Sequence, residues 1–280
     1  MDSMLTKAIP YRLMTRITLC FFFLVNCQIS TALLSRDQLF ISSADQWTNN
    51  YTSFFNATVD DFNDYPEDVN ATHCAPGIVS GDCTLRNAVA YCSSNLNNVS
   101  DHCTIYLPPH TDLILKNAEI AITDQKGNLT VMGHGSTITK FPSVTDHALF
   151  RVDAEGSRVS VGNGKTESFH FNLHNMTIED FGNTDEVGGA VWLGNVDASY
   201  LEHLIFKGCK GRDGGALDLQ STHFVTIFQC EFYNNYCVGN GGALGIGEFN
   251  EATLVEGCRF GNNKALELGH LGGGFGGKCE

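Results

Sequence analysis

Arg212, Asp213 and Asp218 are the residues whose types and spacing best fit carbohydrate chemistry: two carboxylates beside a guanidinium. A calcium-dependent lyase needs an acidic cluster of this kind with a basic residue nearby. Glycoside hydrolysis is stricter, requiring two carboxylates about 5–10 Å apart across the scissile bond. Asp197 is a further corner carboxylate without an assigned partner, and Asp60-Asp61 reads as part of a solvated acidic run. His203 and His223 are expected to face solvent, and Trp192 and Tyr200 are the aromatic candidates for contact with a glycan or protein surface. No Ser/His/Asp arrangement, phosphate loop or metal-spaced His pair occurs. No metal or cofactor is therefore expected, with calcium left as an allowed ligand.

The elements that would position these residues are internal repeats. Gly188-Gly189-Ala190-Val191-Trp192-Leu193, Gly214-Gly215-Ala216-Leu217-Asp218-Leu219 and Gly241-Gly242-Ala243-Leu244-Gly245-Ile246 are one hexapeptide written three times. Gly272-Gly273 begins a degraded copy. Between them recur Leu204-Ile205-Phe206, Cys230-Glu231-Phe232 and Cys258-Arg259-Phe260, the last two extending to Asn235 and Asn263. A period in the twenties, divided into short β-rich runs with Gly and Asn at the corners, predicts a solenoid. The expected class is all-β: a right-handed parallel β-helix with a short N-terminal capping helix. Alternation places Leu217 and Leu219 inside and Asp218 outside. Phe206, Phe232 and Phe260 should stack along the interior, and Asn235 and Asn263 should form a short amide ladder. One rung away from Asp218 stand Trp192 and Gly245, so no carboxylate pair is expected there.

Upstream, Lys7, Arg12 and Arg16 precede an apolar run from Ile17 to Val25 and the small residues Ser30-Thr31-Ala32. This is a secretory signal over 1–32, too short for a membrane span of about 20 residues. Residues 33–73 read as an acidic, glycosylated lead-in, 74–110 as a disulfide-containing cap, and 111–280 as the β-helix, incomplete at its C-terminal end. Leu85, Ala88, Val89 and Cys92 fall on one helical face, with Asp82 or Thr84 as N-cap. The Gly-rich end at 272–277 followed by Cys279 leaves the last rung bare, which predicts a longer parent chain or end-to-end self-association.

Export is also marked by sequons at Asn50, Asn56, Asn70, Asn98, Asn128 and Asn175, all six expected to carry glycans. Without Cys20 and Cys27 of the signal, nine cysteines remain, none with C-x2-C spacing, so disulfides are expected rather than zinc. The candidates are Cys74, Cys83, Cys92 and Cys103, then Cys209, Cys230, Cys237 and Cys258. Among the latter, Cys230 and Cys258 share a repeat position, and Cys209–Cys237 is the bridge expected at the corners. The formal net charge of −14 disfavours nucleic acid and anionic membranes as partners.

The block from Gly81 to Cys92 (GDCTLRNAVAYC), followed by TIYLP and NLTVMGHGSTI, resembles the CSLREA-type N-terminal module of repeat-rich surface proteins. Cys83, Leu85 and Arg86 match that module, while Thr84 and Asn87 depart from it. The GGA blocks and the two F-x-x-N blocks resemble the repeats of chlamydial polymorphic outer-membrane proteins, which are surface adhesins. Together these likenesses cover about residues 81–263 and imply a pectin-lyase-like β-helix without naming a ligand. Gly133-His134-Gly135 and Asn183-Thr184-Asp185 resemble fragments of polygalacturonase motifs, but in reversed order. The expected function is thus a secreted or cell-surface β-helix glycoprotein for adhesion, recognition or a structural coat, bound to an extracellular glycan or protein surface. The alternative is an extracellular polysaccharide lyase or glycoside hydrolase.

Overall fold

The computed structural model describes residues 53–266, except for 63–70, 76–82, 117–118, 124, 143–146, 155–158, 163–164, 168 and 186–187. It is a parallel β-solenoid with one helix near its N-terminal end. In chain order the first strands are β1 (Ser53–Thr58), β2 (Asp101–Tyr106), β3 (Asp112–Leu115), β4 (Ile120–Thr123) and β5 (Asn128–Lys140). There follow β6 (Phe150–Asp153), β7 (Val159–Gly162), β8 (Lys165–Glu167), β9 (Phe171–Glu179) and β10 (Val191–Gly194). The next coil is β11 (Ala198–Lys207), β12 (Lys210–Gly211) and β13 (Leu217–Gln220). The chain continues through β14 (Phe224–Phe228), β15 (Glu231–Tyr233), β16 (Tyr236–Cys237) and β17 (Leu244–Ile246) to β18 (Ala252–Glu256), β19 (Arg259–Gly261) and β20 (Lys264–Ala265).

Three parallel sheets run along the solenoid. Sheet A follows the path β1-β2-β5-β9-β11-β14-β18, sheet B is β17-β13-β10-β6-β4, and sheet C is β12-β16-β20. An antiparallel hairpin, β7–β8, is inserted between two rungs. Register partners lie 26 residues apart at His203 and Gln229 and 28 apart at His174 and Glu202. Where the hairpin is inserted, Asn128 and His170 are 42 apart.

The expected interior is present. Phe206, Phe232 and Phe260 stack with centroids 5.1 and 4.8 Å apart and ring planes within 7° of parallel. That separation is the strand spacing itself. Leu217 and Leu219 are fully buried beside Val191 and Leu193, each side chain contributing about 1.5–3 kcal/mol by burial. The amide ladder is also present: Asn235 Nδ2 donates to Asn263 Oδ1 at 3.0 Å and to Phe206 O at 3.1 Å. Asn263 Nδ2 repeats the second bond, donating to Phe232 O at 2.9 Å.

The helix α1 (Leu85–Asn95) starts at Thr84, whose hydroxyl accepts from Asn87 N at 3.1 Å. Leu85, Ala88, Val89 and Cys92 are buried as their spacing requires. Disulfides Cys74–Cys83 and Cys92–Cys103 tie the start of the helix to the preceding turn and its body to β2. The solenoid begins earlier than the sequence suggests. β1, inside the expected lead-in, pairs in parallel with β2 from Ser53↔Asp101 to Thr58↔Tyr106. Asp60 is likewise not a free surface charge, since its Oδ1 accepts from Cys83 N at 2.7 Å.

The expected Cys209–Cys237 bridge is absent, and Cys209, Cys230, Cys237 and Cys258 are free thiols. Register is the reason: Gly211 pairs with Cys237, and Cys209 lies level with Asn235, whose Oδ1 accepts from Cys209 N. The glycine-rich end at 272–277, Cys279 and the expected bare rung lie outside the described residues, as do the signal segment, Asn50 and Asn70.

Candidate functional site

Two outward faces carry the candidate residues. On sheet B, in-register pairing sets Arg151, Trp192, Asp218 and Gly245 in one row, one residue per rung. The Gly-Gly corners shape this row. The first glycine of each pair has a positive φ (83°, 71° and 78° at Gly188, Gly214 and Gly241), a conformation costly for other residues. The second has no room for a side chain: a Cβ on Gly189 would stand 2.0 Å from Gly215 O, and one on Gly215 2.2 Å from Gly242 O. Each corner thereby folds back onto the residue four positions ahead. A Cβ on Gly188 would meet Trp192 Cβ at 2.8 Å, and one on Gly214 would meet Asp218 Cβ at 3.0 Å.

This corrects the expectation that Asp218 points into solvent, for the residue is 0% exposed. Its Oδ1 accepts from Gln220 Nε2 at 3.1 Å, while Oδ2 is buried without a partner. Gly245 on the next rung leaves space for the carboxyl, since a Cβ there would lie 2.8 Å from Asp218 Oδ1. Burial pushes the Asp218 carboxyl up to about 7; Asp213 adds to the rise, and the Gln220 bond and Arg212 oppose it. The three sequence candidates are therefore gathered at one corner. Arg212 Nε and Asp213 Oδ2 form a partly exposed ion pair at 3.3 Å. Asp213 Oδ1 braces the next corner by accepting from Asn240 N at 3.4 Å.

Trp192 and Arg151 are the partly buried members of the row, the other two being buried. The Trp192 indole lies along the strand over Gly194, where a Cβ would meet Cη2 at 2.1 Å. The Arg151 guanidinium sits 4.9 Å from the ring centroid, a cation–π contact. Trp192 Nε1 is buried without a partner. Beyond the tile, Asn195 Nδ2 donates to Asp153 Oδ1 at 3.1 Å.

Sheet A carries Tyr200 beside a polar network that the sequence did not disclose. His174 Nδ1 lies 3.2 Å from Glu202 Oε2, and Glu202 Oε1 lies 3.5 Å from His203 Nδ1. His203 Nε2 continues to Gln229 Oε1 at 2.6 Å. The Tyr200 ring is 5.6 Å from His174. Burial, followed by Glu202, pushes the Tyr200 phenol up to about 12. Burial also lowers His174, against the opposing pull of Glu202. Phe224 and Leu254 extend this face and are 63% and 53% exposed. The signal that could have found His174 and Glu202 is their 28-residue separation, one rung period. The other corner carboxylate, Asp197, has a partner: its Oδ1 lies 2.8 Å from His223 Nδ1, a close contact outside hydrogen-bond alignment.

The motif fragments serve as turns. His134 and Gly135 have φ of 53° and 78°, where β5 bends past Asn175. Asn183 Oδ1 accepts from Asp185 N at 2.8 Å. Among the sequons, Asn56, Asn98 and Asn175 are exposed. Asn128 is 3% exposed, and its amide is engaged on both sides, donating to Val99 O and accepting from His170 N at 2.9 Å each. Next to it, burial lowers His102 and His170 to about 4, and His170 adds to the effect on His102.

Among the described residues no group of three His, Cys, Asp or Glu is placed to hold a metal ion, and no helix is long and apolar enough to cross a membrane. Fold and faces define a parallel β-solenoid whose rows of side chains include Trp192 on sheet B and Tyr200 on sheet A. Compared with known proteins, the chain matches no family model, no curated sequence and no solved structure.

Proposed function

We propose that this chain is a secreted or cell-surface glycoprotein of the right-handed, pectin-lyase-like β-helix type, which recognises an extracellular glycan or protein surface. The observation that carries this reading is the row on sheet B. Its members that reach solvent are an indole lying over glycine and the Arg151 guanidinium beside it, while its carboxyl is sealed under a corner. An indole edged by a guanidinium suits the apolar patches and hydroxyls of a sugar or an aromatic side chain. The two disulfides fit an oxidising compartment, and the exposed sequons fit a secretory route. Immobilised glycans and cell-surface extracts should retain the purified chain, and Trp192→Ala should weaken retention about tenfold or more, as for loss of an aromatic anchor. Retention unchanged by both Trp192→Ala and Tyr200→Ala would overturn the proposal.

The alternative, a polysaccharide lyase or glycoside hydrolase, has one observation in its favour: Asp213 and Asp218 flank the same Gly214-Gly215 corner, with Arg212 paired to Asp213. Against it stands the burial of Asp218, which keeps a substrate oxygen out of reach. Release of reducing ends or unsaturated sugars by the native chain, abolished in Asp218→Asn, would establish this reading in place of the first.

A further inference from the structure

We propose that Cys230 and Cys258 are the two halves of a third disulfide, closed by oxidation across adjacent rungs. Their neighbours Glu231 and Arg259 are register partners, so the two cysteines are level on successive coils. Cys230 N donates to Cys258 Sγ at 3.4 Å. Each follows a corner residue of positive φ, Gln229 at 50° and Gly257 at 67°, which turns both side chains the same way. Each thiol also makes the same two contacts. Cys230 Sγ lies 3.4 Å from Phe228 O and Leu201 O, and Cys258 Sγ lies 3.5 Å from Glu256 O and 3.4 Å from Ile227 O.

Parallel neighbours are about 4.8 Å apart, inside the Cα separation of roughly 4.4–6.8 Å that a disulfide spans. Closure therefore requires rotation of the two thiols and no register change. Cys209 and Cys237 differ in this respect. Their 28-residue separation looks like a rung, yet the local period is 26, so they stand two positions out of register.

The two thiols divide the chemistry. Cys258 is half-buried and Cys230 fully buried. The Cys230 thiol beside it lowers the Cys258 thiol to about 7, and the same thiol–thiol contact, with burial, pushes Cys230 up. Cys258 as thiolate attacks one sulfur of a small disulfide such as oxidised glutathione and expels one thiol. Cys230 then loses its proton and attacks the Cys258 sulfur of the mixed disulfide, expelling the second. The protein gives up two electrons and two protons, and the small disulfide becomes two thiols. The bond fastens the last described rung, where Ile246, Val255 and Phe260 are only partly buried, to the rung beneath it.

The test uses the full chain, secreted with its N-terminal disulfides intact and incubated natively with oxidised glutathione. Remaining thiols are then alkylated, and the chain is cut with trypsin and a glutamate-specific protease. Cys230 falls in peptide 213–231, Cys237 in 232–248 and Cys258 in 257–259. The expected product is 213–231 joined to 257–259, lighter than the two free peptides by two hydrogens. Alkylation of both Cys230 and Cys258, a stable glutathione adduct on Cys258, or a link from either peptide to 232–248 would overturn the proposal.

Discussion

Trp192 and Asp218 are register partners on adjacent strands of sheet B, yet Trp192 is only partly buried and Asp218 is sealed from solvent. The same Gly-Gly corner precedes both by four residues. What differs is the size of the side chain beneath it. The indole is too large to be roofed and extends along the strand over Gly194, whereas the carboxyl fits between its own corner and the vacant space at Gly245.

The sealed carboxyl makes stability depend on pH in a defined direction. Asp218 ionises near 3.8 when unfolded and near 7 when folded. The unfolded chain thus holds fewer protons between those values, and the stability that Asp218 contributes, complete below about pH 4, is lost as pH rises through 7. Asp218→Asn, which cannot ionise, should match the native protein at pH 4 and exceed it at pH 8 by about 2–4 kcal/mol. Urea unfolding at the two pH values measures this. A difference between the two proteins that is the same at both would refute it.

His102 and His170 act in the opposite sense. Both are lowered from 6.5 to about 4 by burial, so the unfolded chain binds more protons between those values. Their contribution is complete above pH 6.5 and falls away on acidification, by about 2–3 kcal/mol for each by pH 4.5. In His170→Gln the loss of stability between pH 7 and 4.5, followed by chemical denaturation, should shrink by a similar amount. An unaltered pH profile would show that His170 does not titrate this way.

The two glycines of a corner should fail differently. Gly188→Ala introduces a positive-φ penalty of about 1–2 kcal/mol and a contact with the Trp192 side chain. Gly189→Ala drives a methyl into the carbonyl of Gly215, a backbone atom that cannot swing aside. It should cost at least about 3 kcal/mol, above ordinary overpacking. Thermal unfolding of both variants orders them, and the reverse order would contradict the close rung contact.

Glycan occupancy should follow exposure rather than motif. In material secreted from eukaryotic cells, Asn56, Asn98 and Asn175 should carry glycans, and Asn128 should not, because its amide is spent on Val99 and His170 inside the coil. Glycopeptide mass spectrometry decides the matter site by site. Full occupancy of Asn128 would mean that the folded chain does not hold this side chain as described.

The repeats were legible in the sequence because they answer to local physics. Positive φ selects Gly at the first corner position, and rung stacking forbids a side chain at the second. Alternation sends Leu217 and Leu219 inward, and identical residues one rung apart meet at strand spacing, as the Phe206, Phe232 and Phe260 stack and the Asn235–Asn263 ladder do. The helix was equally plain from the spacing of Leu85, Ala88, Val89 and Cys92. Contacts between rungs were a different matter, because rung length varies, 26 residues at His203 and 28 at His174, and a two-residue difference moves a corner. Hence Cys209 meets Asn235 instead of Cys237, and the His174–Glu202–His203 network formed unseen. β1 was hidden by the helix inserted between it and its partner β2, which breaks the period altogether. The fate of Asp218 and Asn128 rested on what backbone passes over each, and no pattern along a strand records that. The sequence by itself determined the coil; the packing of one rung on the next decided which of its polar residues meet solvent.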